Sequence, residues 1–321
     1  MSHDQNILLN EILQDLTQIK KKFNIVPDKE GKIDDFEASI ETYEVFELDE
    51  LKLEQTTIDN QKSSIRNYLN FSNGNITKET VTQYLDSNES DSWKSNQLKA
   101  LRRYTRNFLK LGNWTEDFHF RAGNNIPKIK QLPTDDQLIT FLNKLPTAEI
   151  RIIFLMLLNS GLRIGEVLSL RIKDVEFWDY SIDATQIHKG QTKHSWFSFF
   201  TEQTAEFLAE YVKNTHQLDS EDYSDNNYRI DSDLLLFTVS KRTVQQSFQR
   251  VSKELDFEIN PHLLRSVFTN RCTKSGIKDK YIDAFCGRTS KGVLAKHYTA
   301  YSVDSLKEEY EKVEELFTLG K

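Results

Sequence analysis

Apolar residues recur at helical spacing along most of the chain, and this pattern predicts a mainly α-helical protein. Near the N-terminus, residues 6–22 have the pattern of an amphipathic helix. The acidic stretch 27–50, which includes Pro27 and Gly31, is predicted to be a linker or a loosely ordered segment. A small helical unit is then predicted from three further periodic stretches, at residues 56–71, 77–85 and 95–111.

A break in the pattern separates this helical unit from the C-terminal half. Residues 121–134 contain Gly123, Pro127 and Pro133, a composition typical of an interdomain linker. The pattern beyond it predicts helices at residues 135–144, 147–159, 203–214, 241–255, 262–275, 278–285 and 303–316. Between them, residues 175–178, 181–188 and 194–200 are rich in aromatic and β-branched residues, which favours strands.

The predicted fold class is therefore mainly α with a small antiparallel β-sheet. The predicted organisation has four parts: an N-terminal helix and acidic segment at 1–54, a helical unit at 55–120, a linker at 121–134, and a larger domain at 135–321. The tail from 302 to 319 has an apolar helical face, which predicts packing on another protomer in an active assembly. Packing on its own domain is the alternative.

Charge is distributed unevenly along the chain. The net charge is −7, but residues 1–54 carry −8, residues 55–130 carry +5 and the rest carries −4. Because phosphate binding depends on local charge, the acidic total does not exclude a nucleic-acid partner. On the third predicted helix of the basic segment, five cations fall on one face and are interpreted as DNA-binding: Lys99, Arg102, Arg103, Arg106 and Lys110. A solvated surface without a ligand is the alternative.

Composition narrows the classes of protein to which the chain could belong. The chain has 38% hydrophobic residues, enough for a packed core, and only two cysteines, Cys272 and Cys286, in no metal-ligand spacing. A reduced, cytoplasmic protein without a metal is the simplest interpretation. The N-terminus has no signal-peptide layout. The longest apolar run, residues 152–158, is too short to span a membrane, so no membrane partner is expected.

Four short segments carry residues suited to phosphate chemistry. In the first, residues 159–170 read N-S-G-L-R-I-G-E-V-L-S-L, and Arg163 stands where a helix begins. The helix dipole disfavours a cation there, which indicates a bound anion. An amphipathic helix after a glycine turn explains the apolar positions equally well. The second segment places Lys193 near the tip of the predicted β-hairpin, where a lysine is ordinarily only solvated.

The third and fourth segments lie nearer the C-terminus. His262 and Arg265 are three residues apart and share one helix face. Residues 286–298 read C-G-R-T-S-K-G-V-L-A-K-H-Y, a basic loop that contains Arg288 and ends at Tyr298. Taken one at a time, a partly buried histidine and a surface loop leading into a core aromatic explain these segments equally well. Tyr301 is a close rival of Tyr298.

Together the four segments resemble the tyrosine recombinase, or integrase, family over roughly residues 55–316. That family has a G-L-R-x-x-E box, a hairpin lysine, an H-x-x-R box, a G-H loop and a tyrosine, and all five have counterparts here in the same order. The loop is altered: Arg288 replaces the usual histidine, and the interval to the tyrosine is one residue longer. This form looks like the archaeal and archaeal-virus integrases.

The resemblance implies a helical core-binding domain followed by a mixed α/β catalytic domain. It implies that DNA is cleaved and rejoined at specific sites through a 3′-phosphotyrosyl intermediate, without a cofactor or a metal. It also implies double-stranded DNA as partner and a homo-tetramer on two DNA sites. The implied catalytic residues are Arg163, Lys193, His262, Arg265, Arg288 and Tyr298.

Two other functions remain open from the sequence. A type IB topoisomerase uses similar chemistry on one strand without exchanging partners, and a non-catalytic DNA-binding relative would need only the fold. The small helical unit ahead of the catalytic half favours the recombinase over the topoisomerase. The nearly complete set of catalytic residues disfavours a non-catalytic relative.

Overall fold

The computed structural model describes residues 32–88, 90–119, 131–187, 196–216, 232–288 and 302–320. The chain separates into two compact units, Met1–Ile129 and Lys130–Lys321. In its described part the first unit is built from helices, and the second adds a small sheet. The predicted helix at 6–22 and most of the predicted linker at 121–134 lie outside the described residues.

The first unit contains four α-helices in its described part. These are α1 (Phe36–Asp49), α2 (Gln55–Ser72), α3 (Lys78–Asp86) and α4 (Asp91–Arg102), followed by a π-helical turn (Arg103–Phe108) and a 3₁₀ turn (Trp114–Asp117). Their buried aliphatic and aromatic side chains form one core, in which Tyr43 packs edge-on against Tyr104 at 5.3 Å between ring centroids. The small helical unit predicted from the periodicity is present.

Helix α1 corrects the interpretation of residues 27–50 as a linker. Asp35 caps its N-terminus by accepting a hydrogen bond from the Ala38 amide, and Ile40 and Tyr43 are buried. Its acidic residues pair with cations of α2, as in the bidentate contact between Glu37 and Arg66. High acidity therefore marks the outer face of a packed helix here. The predicted N-terminal segment 1–54 contains part of the first unit's core.

The basic helix is also shorter and less regular than predicted. Helix α4 ends at Arg102, and the π-helical turn that follows carries extra residues per turn, which rotates later side chains out of the 3.6-residue register. Lys110 lies past the end of this turn with a positive φ of 58°. The five cations therefore do not share a single regular helix face.

The second unit contains eight α-helices and one three-stranded sheet in its described part. The helices are α5 (Asp135–Lys144), α6 (Ala148–Ser160), α7 (Ile164–Val167), α8 (Glu202–His216), α9 (Lys241–Leu255), α10 (Pro261–Lys274), α11 (Asp279–Phe285) and α12 (Val303–Glu311). Short 3₁₀ turns cover Ile172–Asp174 and Glu314–Phe317. The helix boundaries agree with the sequence predictions to within two residues, except at the end of α12 and for the four-residue α7, which was not among the predicted helices.

The sheet is antiparallel, in the order β1 (Val175–Glu176), β2 (Ser181–Asp183), β3 (Phe197–Phe199). Val175 pairs with Ile182, and Ser181 pairs with Phe199. The strands are shorter than predicted, because residues 177–180 and 185–187 form turns instead. The hairpin tip at 188–195 lies outside the described residues. The predicted fold class, mainly α with a small antiparallel sheet, is confirmed.

Helix α6 forms the centre of the second unit. Every residue from Ile152 to Ser160 is buried, because α10 packs along it and α8 also contacts it. The helix ends at Gly161, whose φ of 66° favours glycine. A Cβ atom at this position would lie only 2.5 Å from the Phe268 ring of α10. This close approach fixes where the chain leaves the core, immediately before Arg163.

The C-terminal tail packs on its own unit. Leu306, Tyr310 and Phe317 are buried in the same core as α6. The Tyr310 hydroxyl donates to the Asn159 carbonyl at 3.2 Å, and the Asn159 amide donates to the Phe317 carbonyl at 3.3 Å. The single chain thus adopts the alternative in which the tail packs in cis. Exchange of the tail between protomers remains a prediction about an assembly.

Candidate active site

Arg163 stands at the start of the short helix α7 and is held by the acidic residue three positions later. The Arg163 backbone amide donates to one oxygen of Glu166 and its guanidinium donates to the other, both at 2.6 Å. The Glu166 side chain is 1% exposed, whereas that of Arg163 is 36% exposed. A carboxylate within the same turn thus compensates the unfavourable dipole. The position of Arg163 does not by itself require a bound anion.

Arg265 is the most deeply buried arginine of the predicted site. It projects from α10 and is 4% exposed. Its two terminal nitrogens donate to the carbonyls of Gly161 at 2.7 Å and Cys286 at 2.5 Å. Its hydrogen-bond partners in the described part of the chain are backbone carbonyls, which fix the planar fork without neutralising its charge. Burial lowers the pKa of Arg265 from its usual value and is the largest effect. Cys286 partly offsets this effect, and the positive charges of Arg163 and Arg288 lower the pKa further.

The residues that follow α11 contact Arg163 and Arg265 and also include Arg288. Both terminal nitrogens of Arg163 lie 3.5 Å from the Gly287 carbonyl, next to the Cys286 carbonyl that binds Arg265. Arg288 follows directly, and its amide donates to the Asp283 carbonyl at 2.8 Å. Its guanidinium lies 3.8 Å from the Asp283 carboxylate. Arg163 thus forms one arginine cluster with Arg265 and Arg288, both of which are more than 100 positions away in the sequence.

His262 lies in the first turn of α10, which begins after Asn260. The Asn260 side chain caps the helix by accepting from the Leu263 amide at 2.9 Å. His262 is exposed and lines a cleft of about 270 Å³ together with Arg163 and Arg265. The sequence prediction that His262 and Arg265 face the same side therefore agrees with the geometry. Arg288 lies outside the lining of this cleft but inside the electrostatic reach of Arg265.

Two predicted catalytic residues cannot be placed in this geometry. Lys193 and Tyr298 lie outside the described residues, as does the rival Tyr301. The structure therefore brings together four of the six residues predicted for catalysis.

Sequence reasoning missed two residues of the cleft. Glu166 lines it as the partner of Arg163, and Lys241 lines it from the first turn of α9. For Glu166, the three-residue spacing from Arg163 could have indicated an ion pair. For Lys241, the signal in the sequence is a cation at a predicted helix start, as at Arg163.

In the first unit, three of the five predicted DNA-binding cations have partners within the unit. Arg102 donates to the carbonyls of Thr115 and Phe118, and Arg106 forms an ion pair with Glu116 at 2.6 Å. Arg103 lies 3.9 Å from the buried carboxylate of Glu47. The other two, Lys99 and Lys110, are exposed. The partners of these three arginines lie in other segments of the chain, which reach the arginines only when the unit is folded.

Metal-binding clusters and membrane-spanning helices are absent from the part of the chain that the structure describes. No group of three or more histidine, cysteine or acidic side chains within the described ranges is arranged to hold a metal ion. Among the helices described, none is long and apolar enough to cross a membrane.

Comparison with known proteins identifies the family. The model of the phage integrase family matches residues 133–304, more than half of the chain. The tyrosine recombinase XerA of Saccharolobus solfataricus is 25% identical over 276 residues, which cover 80% of this chain and 86% of the relative. The XerA of Thermococcus onnurineus is 23% identical, over 85% of this chain and 94% of the relative.

Solved structures support the same fold. A Tn1549 transposon integrase in complex with circular intermediate DNA superposes with a TM-score of 0.57 at 16% identity, over 84% of this chain and 98% of that one. A lambda integrase dimer bound to a COC′ core site gives a TM-score of 0.56 at 16% identity, over 83% and 97%.

The family match and the curated relatives define the class of the protein. The chain belongs to the phage integrase family, and it is a site-specific recombinase of the tyrosine class with archaeal relatives. The resemblance inferred from the four sequence segments is confirmed.

Proposed function

We propose that this recombinase cleaves and rejoins double-stranded DNA at specific sites through a 3′-phosphotyrosyl bond to Tyr298. The observation that carries the proposal is the arginine cluster, in which Arg163 and the buried fork of Arg265 line one cleft with His262. A rigid pair of guanidinium groups suits the oxygens of a phosphodiester, which they bind by charge-assisted hydrogen bonds.

In the proposed cleavage step, the Tyr298 oxygen attacks the scissile phosphorus and forms a P–O bond as the bond to the 5′ oxygen breaks. His262 assists removal of the tyrosine proton, and Lys193 protonates the leaving 5′ oxygen. One phosphate ester is exchanged for another, so the bond energy is kept in the phosphotyrosine. A 5′ hydroxyl then reverses the step and rejoins the strand without an external energy source.

The arginines act on the charge that develops in the transition state. Arg163 and Arg265 are proposed to bind the non-bridging oxygens, and Arg288 to approach the phosphate from a third side. The bonds from Arg265 to two backbone carbonyls hold its guanidinium in place before the substrate arrives. The Glu166 carboxylate orients Arg163 in the same way. Such preorganised donors are each worth about 3–4 kcal/mol of transition-state stabilisation.

We further propose that the active form is a homo-tetramer on two DNA sites in the cytoplasm, with the first unit as a core-binding domain. The linker at 121–134 would then join it to the catalytic domain at 135–321. Support for the DNA partner comes from structural neighbours that contain DNA, namely the Tn1549 integrase on circular intermediate DNA and the lambda integrase dimer on its core site. Family membership disfavours a type IB topoisomerase or a non-catalytic relative.

The decisive experiment captures the covalent intermediate. A library of nicked duplexes with randomised sequence loses the 5′ fragment after cleavage, so the wild-type chain should become trapped on the duplexes that it cleaves. Sequencing the trapped DNA also gives the site. Tyr298→Phe should abolish the adduct while DNA binding survives, because only the nucleophilic oxygen is removed.

Tyr301→Phe is the matched control and should retain the adduct. Mass spectrometry of the trapped peptide would identify the modified tyrosine directly. An adduct on Tyr301, or no adduct from any duplex in the library, would contradict the proposal. A strand-exchange assay with two recovered sites would then separate recombination from simple topoisomerase activity.

A further inference from the structure

Lys241 is a fourth basic side chain of the cleft, and the catalytic set inferred from the sequence does not use it. It is the first residue of α9, directly after Ser240, whose hydroxyl accepts from the Thr243 amide at 3.1 Å. From this position Lys241 lines the same cleft as Arg163, His262 and Arg265. It comes from a separate helix, so the packing of α9 against the unit brings it there.

Lys241 stands at a helix start, a position that suits an anion and not a cation. A cation in the first turn of a 15-residue helix faces the positive end of the helix dipole. Arg163 stands in a comparable position but has the Glu166 carboxylate at 2.6 Å. Within the described part of the chain, no carboxylate lies within ion-pair distance of Lys241. Lys241 is exposed, and the helix dipole opposes its charge.

The charges that line the cleft leave a surplus. Arg163, Lys241 and Arg265 are positive, and Glu166 is the acidic residue in the lining. Glu166 compensates Arg163, so a surplus of two positive charges remains. A single phosphodiester carries one negative charge. Before reaction the scissile phosphate neutralises one of these two charges, and a second phosphate of the same DNA would neutralise the other.

We propose that Lys241 binds a DNA phosphate adjacent to the scissile phosphate and thereby fixes the strand in the cleft. This inference rests on the proposed function and adds a second phosphate position to it. A lysine suits this role, because its ammonium group is a point charge on a flexible stem that accepts a range of phosphate positions. The two arginine forks, by contrast, are held in fixed orientations by Glu166 and by backbone carbonyls.

The test is a double-mutant cycle between Lys241 and individual DNA phosphates. Duplexes recovered from the covalent capture are synthesised with one neutral methylphosphonate at each position near the scissile phosphate. In the wild type, neutralising the phosphate bound by Lys241 should slow adduct formation about tenfold, the effect of one charge-assisted hydrogen bond. In Lys241→Met the same methylphosphonate should have no further effect, because the interaction is already lost.

Two other variants complete the design. Lys241→Arg retains the charge and should restore most of the sensitivity to that methylphosphonate. Lys274→Met removes an exposed lysine at the end of α10, which does not line the cleft, and should leave the wild-type pattern unchanged. If Lys241→Met and the wild type are equally sensitive at every position, the inference is wrong.

A separate measurement distinguishes this failure from failure of the proposed function. Binding of a random-sequence duplex is measured against salt concentration, and Lys241→Met should flatten the log–log slope by about 0.9, the value for one phosphate contact. An unchanged slope together with normal wild-type adduct formation would overturn the role of Lys241 alone. Absence of the wild-type adduct would overturn the proposed function.

Discussion

The two units of the chain differ in how three arginines of the first unit and Arg265 of the second are held in place. In the first unit, the basic segment that begins at residue 55 carries Arg102, Arg103 and Arg106. Arg103 and Arg106 face carboxylates, and Arg102 binds backbone carbonyls with Glu116 nearby. In the second unit, Arg265 is buried against carbonyls and lies near two other arginines. The arginines of the basic segment thus have carboxylates nearby, whereas the hydrogen-bond partners of Arg265 in the described part of the chain are backbone carbonyls.

This difference shows why a count of charges along the chain is a weak guide to phosphate binding. An arginine bound to a carboxylate must give up that partner, or share it, before it serves a phosphate. An arginine that is held only by backbone carbonyls keeps its full charge. The desolvation free energy of burying it is part of the folding free energy, so DNA binding does not have to supply it. We therefore expect single substitutions in the second unit to have larger effects on DNA chemistry than substitutions in the first.

The largest expected effect is that of Arg265→Lys. Lysine keeps the charge but cannot bind the Gly161 and Cys286 carbonyls as a planar fork, so the cation is no longer held in place. The rate of adduct formation should fall about 100- to 1,000-fold, the loss typical of one preorganised donor. Quench-flow measurement on a nicked duplex would give the rate.

Arg271→Lys is the matched control for this substitution. Arg271 lies on the same helix and binds the Leu316 carbonyl and the Asp135 carboxylate, away from the cleft. Its replacement should lower stability with little effect on the adduct rate. Equal loss of rate in both variants would mean that the effect reports on folding, and the contrast between the units would lose its support.

An intermediate effect is expected from Glu47, which faces Arg103 in the first unit. Burial raises the pKa of this carboxyl above its usual value, against the lowering effects of Tyr43 and Arg103. Its contribution to stability is therefore fully present below the unfolded-state pKa and is lost as pH rises through the higher folded-state pKa. Hydrogen exchange should show helix α1 losing protection as the pH rises above about 4, the ordinary pKa of a glutamate in an unfolded chain.

In the full-length chain, Glu47→Gln should remove this pH dependence once intrinsic exchange rates are corrected for. Glu41→Gln, an exposed change on the same helix, should keep the wild-type profile. If peptides from α1 show the same pH profile in all three proteins, the burial of Glu47 does not govern the stability of this helix.

The smallest effects should separate the cations of the first unit from one another. Lys99 and Lys110 are exposed, whereas Arg106 is paired with Glu116. In binding to a random-sequence duplex, Lys99→Gln and Lys110→Gln should each flatten the log–log salt dependence by about 0.9. Arg106→Gln should change it less, because Glu116 already screens that charge. Equal changes in all three would show that the ion pair does not persist in the complex.

Most of the fold followed from local patterns. Helices α5 to α11 were predicted to within two residues, except for the four-residue α7, because an amphipathic helix repeats at 3.6 residues wherever it packs. The errors arose where tertiary contacts overrode the pattern. Acidic residues 36–49 were assigned to a linker, but buried Ile40 and Tyr43 and the pairing with α2 make them a helix. The strands were overextended, because aromatic content continues into the turns that flank them.

The sequence by itself determined the helical periodicity, the order of the four segments and hence the family, since these are properties of residues close together in the chain. Tertiary structure alone decided which cations are neutralised and which enter the cleft. Arg265 meets Gly161 from 104 residues away, and Lys241 joins them from a separate helix. The partner of a side chain depends on which helices pack together, and packing reflects the whole core more than any one segment.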